Sequence, residues 1–230
     1  MTEAEWLNCT DPKPMLEFLR GKVSDRKLRL FACACVRRVW HRMGEGVVSK
    51  EIEASELFAE GGSSRKELRA IRSQLGARGG YSAAWAANNA LHAVLEDRAD
   101  YTAKRAVTHA TDFSYYQMLE TDTDGQPKAL AARETERTQL TTIVREIFGD
   151  SLSPVRFDPT WYSPTIVSLA HAVYDERILP SCELDNARLA VLSDALEEAG
   201  CNSEEILSHL RSPGVHVRGC WVIDALLGKK

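Results

Sequence analysis

Three histidine–carboxylate pairs stand at helical spacing in this chain: His92 with Glu96, His109 with Asp112, and His171 with Asp175. Three or four residues apart on a helix places two side chains on one face, where a carboxylate can orient an imidazole for general acid–base work. His92 and His109 are seventeen residues apart. That is about 25 Å along a straight helix at 1.5 Å per residue, so they share a site only if the helix between them is broken. His171 and Asp175 are the candidate catalytic pair, because they follow an aromatic loop containing Phe157, Trp161 and Tyr162 that can wall a pocket. A hydrogen-bonded histidine with no catalytic task satisfies the same pattern. The sequence has no Gly-x-Ser-x-Gly, no supported Ser-x-x-Lys and no phosphate-binding Gly-x-x-x-x-Gly-Lys. Gly76-Ala-Arg-Gly-Gly80 lacks both a preceding strand and an anchoring lysine, and reads as a turn.

Cysteine and histidine also gather near the end of the chain, at Cys201, His209, His216 and Cys220. Zinc sites present their ligands in close local pairs, and of these residues only His216 and Cys220 stand that close. The spacing therefore predicts no metal site, and no cofactor motif appears. Cys33 and Cys35 turn by roughly 200° relative to one another on a helix and cannot chelate one ion. The acidic, amphipathic start of the chain does not read as a signal peptide. The expectation is a cytosolic protein whose six cysteines are small, buried thiols and not disulfides.

Charge is polarised. Residues 13–42 carry nine basic residues against two acidic ones, and residues 175–205 carry nine acidic residues against two basic ones. Arg37, Arg38 and Arg42 could contact phosphates or an acidic partner. The competing reading is that the basic and acidic stretches neutralise one another inside the protein. Arg211 to Trp221 joins a tight Pro-Gly turn to two arginines, a histidine and a tryptophan. It offers His216 and Arg218 as an anion- or peptide-binding loop at the start of a last helix. Structurally, the same segment reads as Trp221 anchoring that helix while Arg218 pairs with Asp194 or Glu198.

The elements that must position these residues are helical throughout. The chain has 230 residues, 44% hydrophobic and 27% charged, with a net charge of -4. This excludes a nucleic-acid-coating polycation, a disordered polyelectrolyte and, with no apolar run near the ~18 residues a span requires, a membrane protein. Pro14 opens a first helix, and Ser24 or Asp25 caps a second carrying Leu28, Phe31, Ala32, Cys35 and Val39. Ser49 starts a third, and Ser64-x-x-Glu67 is a capping box for a fourth with Leu68, Ile71 and Leu75 on its buried stripe. An alanine-rich helical stretch from Tyr81 to about Leu119 pairs with a helix from Pro127 to Phe148 as a long antiparallel hairpin. Thr121 to Gln126 make the turn between them. Three prolines make 149–164 a loop, after which Ser163 caps a helix to about Ile178. Further helices run from Asn186 to Ala199, Ser203 to Leu210, and Gly219 to Leu227.

Two stretches carry a family resemblance. The opening runs Glu3-Ala-Glu-Trp-Leu…Met15-Leu-Glu-Phe-Leu-Arg-Gly…Ser24-Asp-Arg-Lys-Leu-Arg-Leu-Phe-Ala-Cys. The end runs Leu192-Ser-Asp-Ala-Leu-Glu-Glu-Ala-Gly-Cys…His216-Val-Arg-Gly-Cys-Trp-Val-Ile-Asp-Ala-Leu-Leu-Gly. Together, over roughly residues 1–42 and 143–230, they resemble an uncharacterised bacterial family abundant in planctomycetes. Asp194 to Gly200 is also similar to the helix of a short repeat-companion domain from those bacteria. Val215 stands where that resemblance leads one to expect proline. The resemblance implies that the two ends form one module, and it implies no reaction, ligand or partner.

The sequence thus predicts an all-α multi-helix bundle, one domain over 1–230, with the ends 1–60 and 149–230 packed together and the hairpin 81–148 projecting from them or lying across them. Function is expected to be non-catalytic, a protein-interaction or adaptor module that meets a partner or itself through the small-residue helix faces. The alternatives are nucleic-acid binding through 13–42 and a hydrolase-type enzyme centred on His171.

Overall fold

Helix-start chemistry written into the chain is used almost everywhere it occurs. The computed structural model describes residues 1–40, 42, 50–76, 81–122, 125–149, 155–179 and 181–230. The expected helix start at Ser49, most of the Gly76–Gly80 turn, Thr123 and Asp124 of the polar turn, and residues 150–154 of the proline loop lie outside them. Among the described residues there are twelve α-helices: α1 Glu3–Asn8, α2 Pro12–Leu19, α3 Asp25–Trp40, α4 Lys50–Ala59, α5 Arg65–Gln74, α6 Ala83–Val94, α7 Ala99–Thr121, α8 Gln126–Phe148, α9 Pro164–Asp175, α10 Asn186–Glu198, α11 Glu204–Arg211 and α12 Trp221–Leu226. A 3-10 turn covers Pro159–Trp161, and the one extended pairing described is a single bridge between Ile178 and Glu183. The fold is all-α. No described helix is long and apolar enough to cross a membrane.

The caps explain the boundaries. Ser64 Oγ accepts the Glu67 amide at 3.2 Å while the Glu67 carboxylate accepts the Ser64 amide at 2.6 Å, closing both halves of the capping box. Ser163 accepts the Ile166 amide at 3.2 Å, with Pro164 at the first helical position. The first prolyl helix begins at Pro12, earlier than expected, because Asp11 rather than a later residue accepts the Lys13 amide. On α5 only Leu68 is fully buried; Ile71 and Leu75 are half-buried.

Contacts divide the chain into two compact units, Glu3–Val144 and Arg145–Lys230. In the first, α3 is buried around most of its circumference, Leu30, Cys33, Ala34 and Val36 joining the expected stripe, and it packs on α4, α6 and α7. The alanine-rich stretch is not one helix. It breaks at residues 95–98, and α6 folds back along α7 with Ala86, Ala90, Ala93, Ala103, Ala106 and Ala110 wholly buried. Methyl-sized side chains permit that close approach, and they use much of the small-residue face of α6 inside the unit, while Ala84 is exposed and Ala87 half-buried. The break has a tertiary cause as well. Arg29, only 2% exposed, donates to the carbonyls of Glu96 at 2.8 Å and Asp97 at 2.6 Å, groups that a continuous helix would have satisfied itself. Helix α8 is joined to α3 and α7 through Arg38–Glu136 at 2.9 Å and Arg133–Asp112 at 2.8 Å.

In the second unit α9 to α12 close on a core that includes Trp161, Ile166, Tyr174, Leu189, Leu196, Ile206 and Ile223. Gly149, at φ +60°, ends α8, and a Cβ there would meet the Trp221 ring at 3.1 Å. That position requires glycine both for its backbone and for the indole lying on it.

Candidate functional site

Four side chains of the second unit converge on one point: Glu146 from the last turn of α8, His209 from the last turn of α11, and His216 and Cys220 from the loop between α11 and α12. One potential ligand atom from each lies within 4.8 Å of every other. The Glu146 carboxylate is the hub. Its Oε2 lies 3.0 Å from His216 Nδ1 and 3.2 Å from His209 Nε2, and its Oε1 accepts the Val217 amide at 3.3 Å. Cys220 Sγ is 3.3 Å from His209 Nε2. The group is enclosed, with Cys220 0%, His216 2% and Glu146 5% exposed.

The loop that carries two of these residues is fastened along its length. Asn186 Nδ2 donates to the Gly214 carbonyl at 3.3 Å, the Leu184 amide donates to the His216 carbonyl at 2.9 Å, and Gly219 makes a left-handed turn at φ +96° just before Cys220. Two aromatic neighbours wall the site: His209 stands edge-on to His216 at 5.0 Å, and Trp221 packs between His209 at 5.2 Å and Phe157 at 6.1 Å.

Hydrogen bonds assign the protons. Trp221 Nε1–H donates to His209 Nδ1 at 3.3 Å, so a neutral His209 carries its proton on Nε2 and gives it to Glu146. Burial lowers the His209 pKa, and the neighbouring carboxylate opposes that shift. His216 differs, because acceptors face both of its nitrogens, the Ser212 carbonyl at Nε2 (3.1 Å) and Glu146 at Nδ1. Burial alone would lower its pKa; the hydrogen bond and charge of Glu146, with the Ser212 carbonyl, outweigh burial and raise it. Burial, seconded by the Glu146 charge, pushes the Cys220 thiol well above the usual thiol range. A carboxylate, two imidazoles and a thiol so arranged could share protons or hold a metal ion.

The other sequence-predicted residues lie elsewhere. His171 and Asp175 are both exposed on α9. The two further histidine–carboxylate pairs do not form as pairs: Glu96 binds Arg72 and Arg105, each at 2.7 Å, and Asp112 binds Arg133. His109 instead stands edge-on to Trp85 at 5.7 Å. Of the proposed binding arginines, Arg37 is buried against Glu56 at 2.7 Å, and Arg38 holds Glu136. Arg42 reaches Gln117 at 2.8 Å and Ser114 at 3.0 Å. Their described carboxylate partners come from α4 and α8, and in the acidic stretch 175–205 Asp194 and Glu197 are taken by Arg211. Arg218 lies over the Tyr174 ring at 4.8 Å. His216 sits in the cluster, facing inward.

The spacing of His209, His216 and Cys220 argues against a metal site, yet the fold brings the three together. Cys201, which stands near them in the sequence, is buried in the core of the same unit instead, and nothing in the local sequence points to Glu146. The one usable signal was the three-residue gap between His216 and Cys220. No family model, curated protein or solved structure matches this chain.

Proposed function

We propose that the protein is a non-catalytic interaction module that binds a partner protein through an apolar cleft between α9 and α10. The observation that carries this reading is the cleft itself, about 200 Å³, lined by Leu169, Ala172, Val173, Ala187 and Val191 with Arg188 at its edge. Val191 is 54% exposed, and the turn after α9 presents Ile178 and Leu179 at 47% and 78% exposure. Exposed aliphatic side chains around an apolar depression suit a partner that inserts an apolar side chain of its own. The acid–base groups that are gathered together are enclosed, and His171 and Asp175 stand on open surface. Nucleic-acid contact through 13–42 is less well supported, because Arg37 and Arg38 are committed to internal carboxylates.

A photo-crosslinking side chain placed at Val191 in living cells tests this. It is expected to give one discrete adduct, abolished by Leu179→Asp, whereas the same group at exposed Glu198 on the same helix gives none. Identical behaviour from Val191 and Glu198, or no adduct at Val191, overturns the reading.

A further inference from the structure

We infer that Glu146, His209, His216 and Cys220 form a closed, structural zinc site. The inference goes beyond the interaction reading and does not depend on it. It begins from geometry. In tetrahedral zinc sites the metal lies at about 2.0–2.2 Å from nitrogen and oxygen and about 2.3 Å from sulfur, which sets ligand atoms about 3.3–3.6 Å apart. The separations of Glu146 from His216 (3.0 Å), Glu146 from His209 (3.2 Å) and His209 from Cys220 (3.3 Å) are already near those edges. The widest pair, at no more than 4.8 Å, needs to close by about 1 Å, within reach of side-chain rotation.

A second observation concerns direction. The Ser212 carbonyl accepts from His216 Nε2 and anchors the ring with Nδ1 aimed at the Glu146 carboxylate oxygen. Without metal a proton on Nδ1 bridges that gap, and a metal ion entering there takes the proton's place. A backbone carbonyl on the far nitrogen of a ligating histidine is the usual outer support of such a site.

Chemistry then selects the metal. One thiolate, one carboxylate and two neutral imidazoles balance a dication, so the buried centre carries no net charge. Sulfur and imidazole disfavour calcium and magnesium, while four protein ligands in a tetrahedral set suit zinc. With all four positions filled by the protein and the centre shielded from solvent, no place remains for a reacting water, and the role is structural. One contact must change. Zinc on His209 Nε2 puts a proton on Nδ1, opposite the Trp221 indole N–H, so the half-buried indole moves when metal binds.

The full chain, purified without added metal, is expected to carry about one zinc per molecule by elemental analysis. After removal by a chelator, cobalt(II) should bind one to one. The expected spectrum has intense visible bands of tetrahedral cobalt and a near-ultraviolet thiolate charge-transfer band, with a change in tryptophan fluorescence that Trp221→Phe removes. Cys220→Ser is expected to lose the thiolate band, and Cys201→Ser to keep it. Folded wild type that holds neither stoichiometric zinc nor tetrahedral cobalt overturns the inference, as does a thiolate band that survives in Cys220→Ser. If Cys220→Ser does not fold, Cys201→Ser and Cys33→Ser decide, since a band lost in either places the thiolate elsewhere.

Discussion

Each unit buries a polar cluster, and the two clusters are built on opposite rules. In the first unit fixed charges are paired off: Arg37 with Glu56, and Arg38 and Arg42 about Glu136, which also meets Ser114. A guanidinium keeps its charge at any ordinary pH and offers a planar fork, so each contact works as a staple between two helices. In the second unit the groups are a thiol, two imidazoles and a carboxylate, all able to exchange protons, and they converge on a point instead of pairing. Pairing fastens elements together. Convergence brings possible ligand atoms to one point, and of these two clusters the second is the one built from the thiol and imidazole donors that zinc prefers.

The sharpest way to break the comparison is to remove one half of a staple. Glu56→Gln removes the carboxylate charge 2.7 Å from the buried Arg37 guanidinium and is expected to cost about 3 kcal/mol of stability in urea unfolding. Replacing both residues, with Arg37→Met and Glu56→Leu, should recover most of that loss, because the desolvation cost goes with the charges. A double variant as unstable as the single one would show that the pair is more than a staple.

A smaller effect comes from His109, the first unit's buried histidine, which has Arg105 rather than a carboxylate beside it at 3.4 Å. Burial first, and the Arg105 charge second, push its pKa down from 6.5 to about 4. Between these values the unfolded chain takes up a proton that the folded one refuses, so stability is full above about pH 6.5 and falls as pH drops towards 4. The loss is on the order of 2–3 kcal/mol. Urea midpoints at pH 7.5 and 4.5 should differ less in His109→Phe than in wild type; an equal difference would place the acid sensitivity elsewhere.

The smallest effect is expected at the exposed fork of Arg211 with Asp194 and Glu197. Solvent screens that pair, so Arg211→Ala should leave the urea midpoint unmoved. A clear shift would mean that this surface pair fastens helices as the buried ones do.

Much of the fold could be read locally. The Ser64–Glu67 box and the Ser163–Pro164 start are short-range hydrogen-bonding devices, and they sit where the sequence predicts them. The break at 95–98 could not be read that way, since the donor that satisfies its carbonyls is Arg29, 67 and 68 positions away. The site divides likewise. His216 and Cys220 share a loop and were visible, but Glu146 arrives 70 residues before His216. Spacing rules describe ligands presented by one knuckle or one turn, and they are silent when separate helices supply them.

Glu146 has a consequence for how the chain can be divided or inherited. The proline-containing loop after Gly149 looks like the natural seam, yet the contacts group the last turn of α8, from Arg145, with α9 to α12. A gene fusion or duplication cut at that loop would transmit three members of the cluster and leave the fourth behind. A piece that keeps all four members of the cluster therefore starts inside a helix, at or before Arg145.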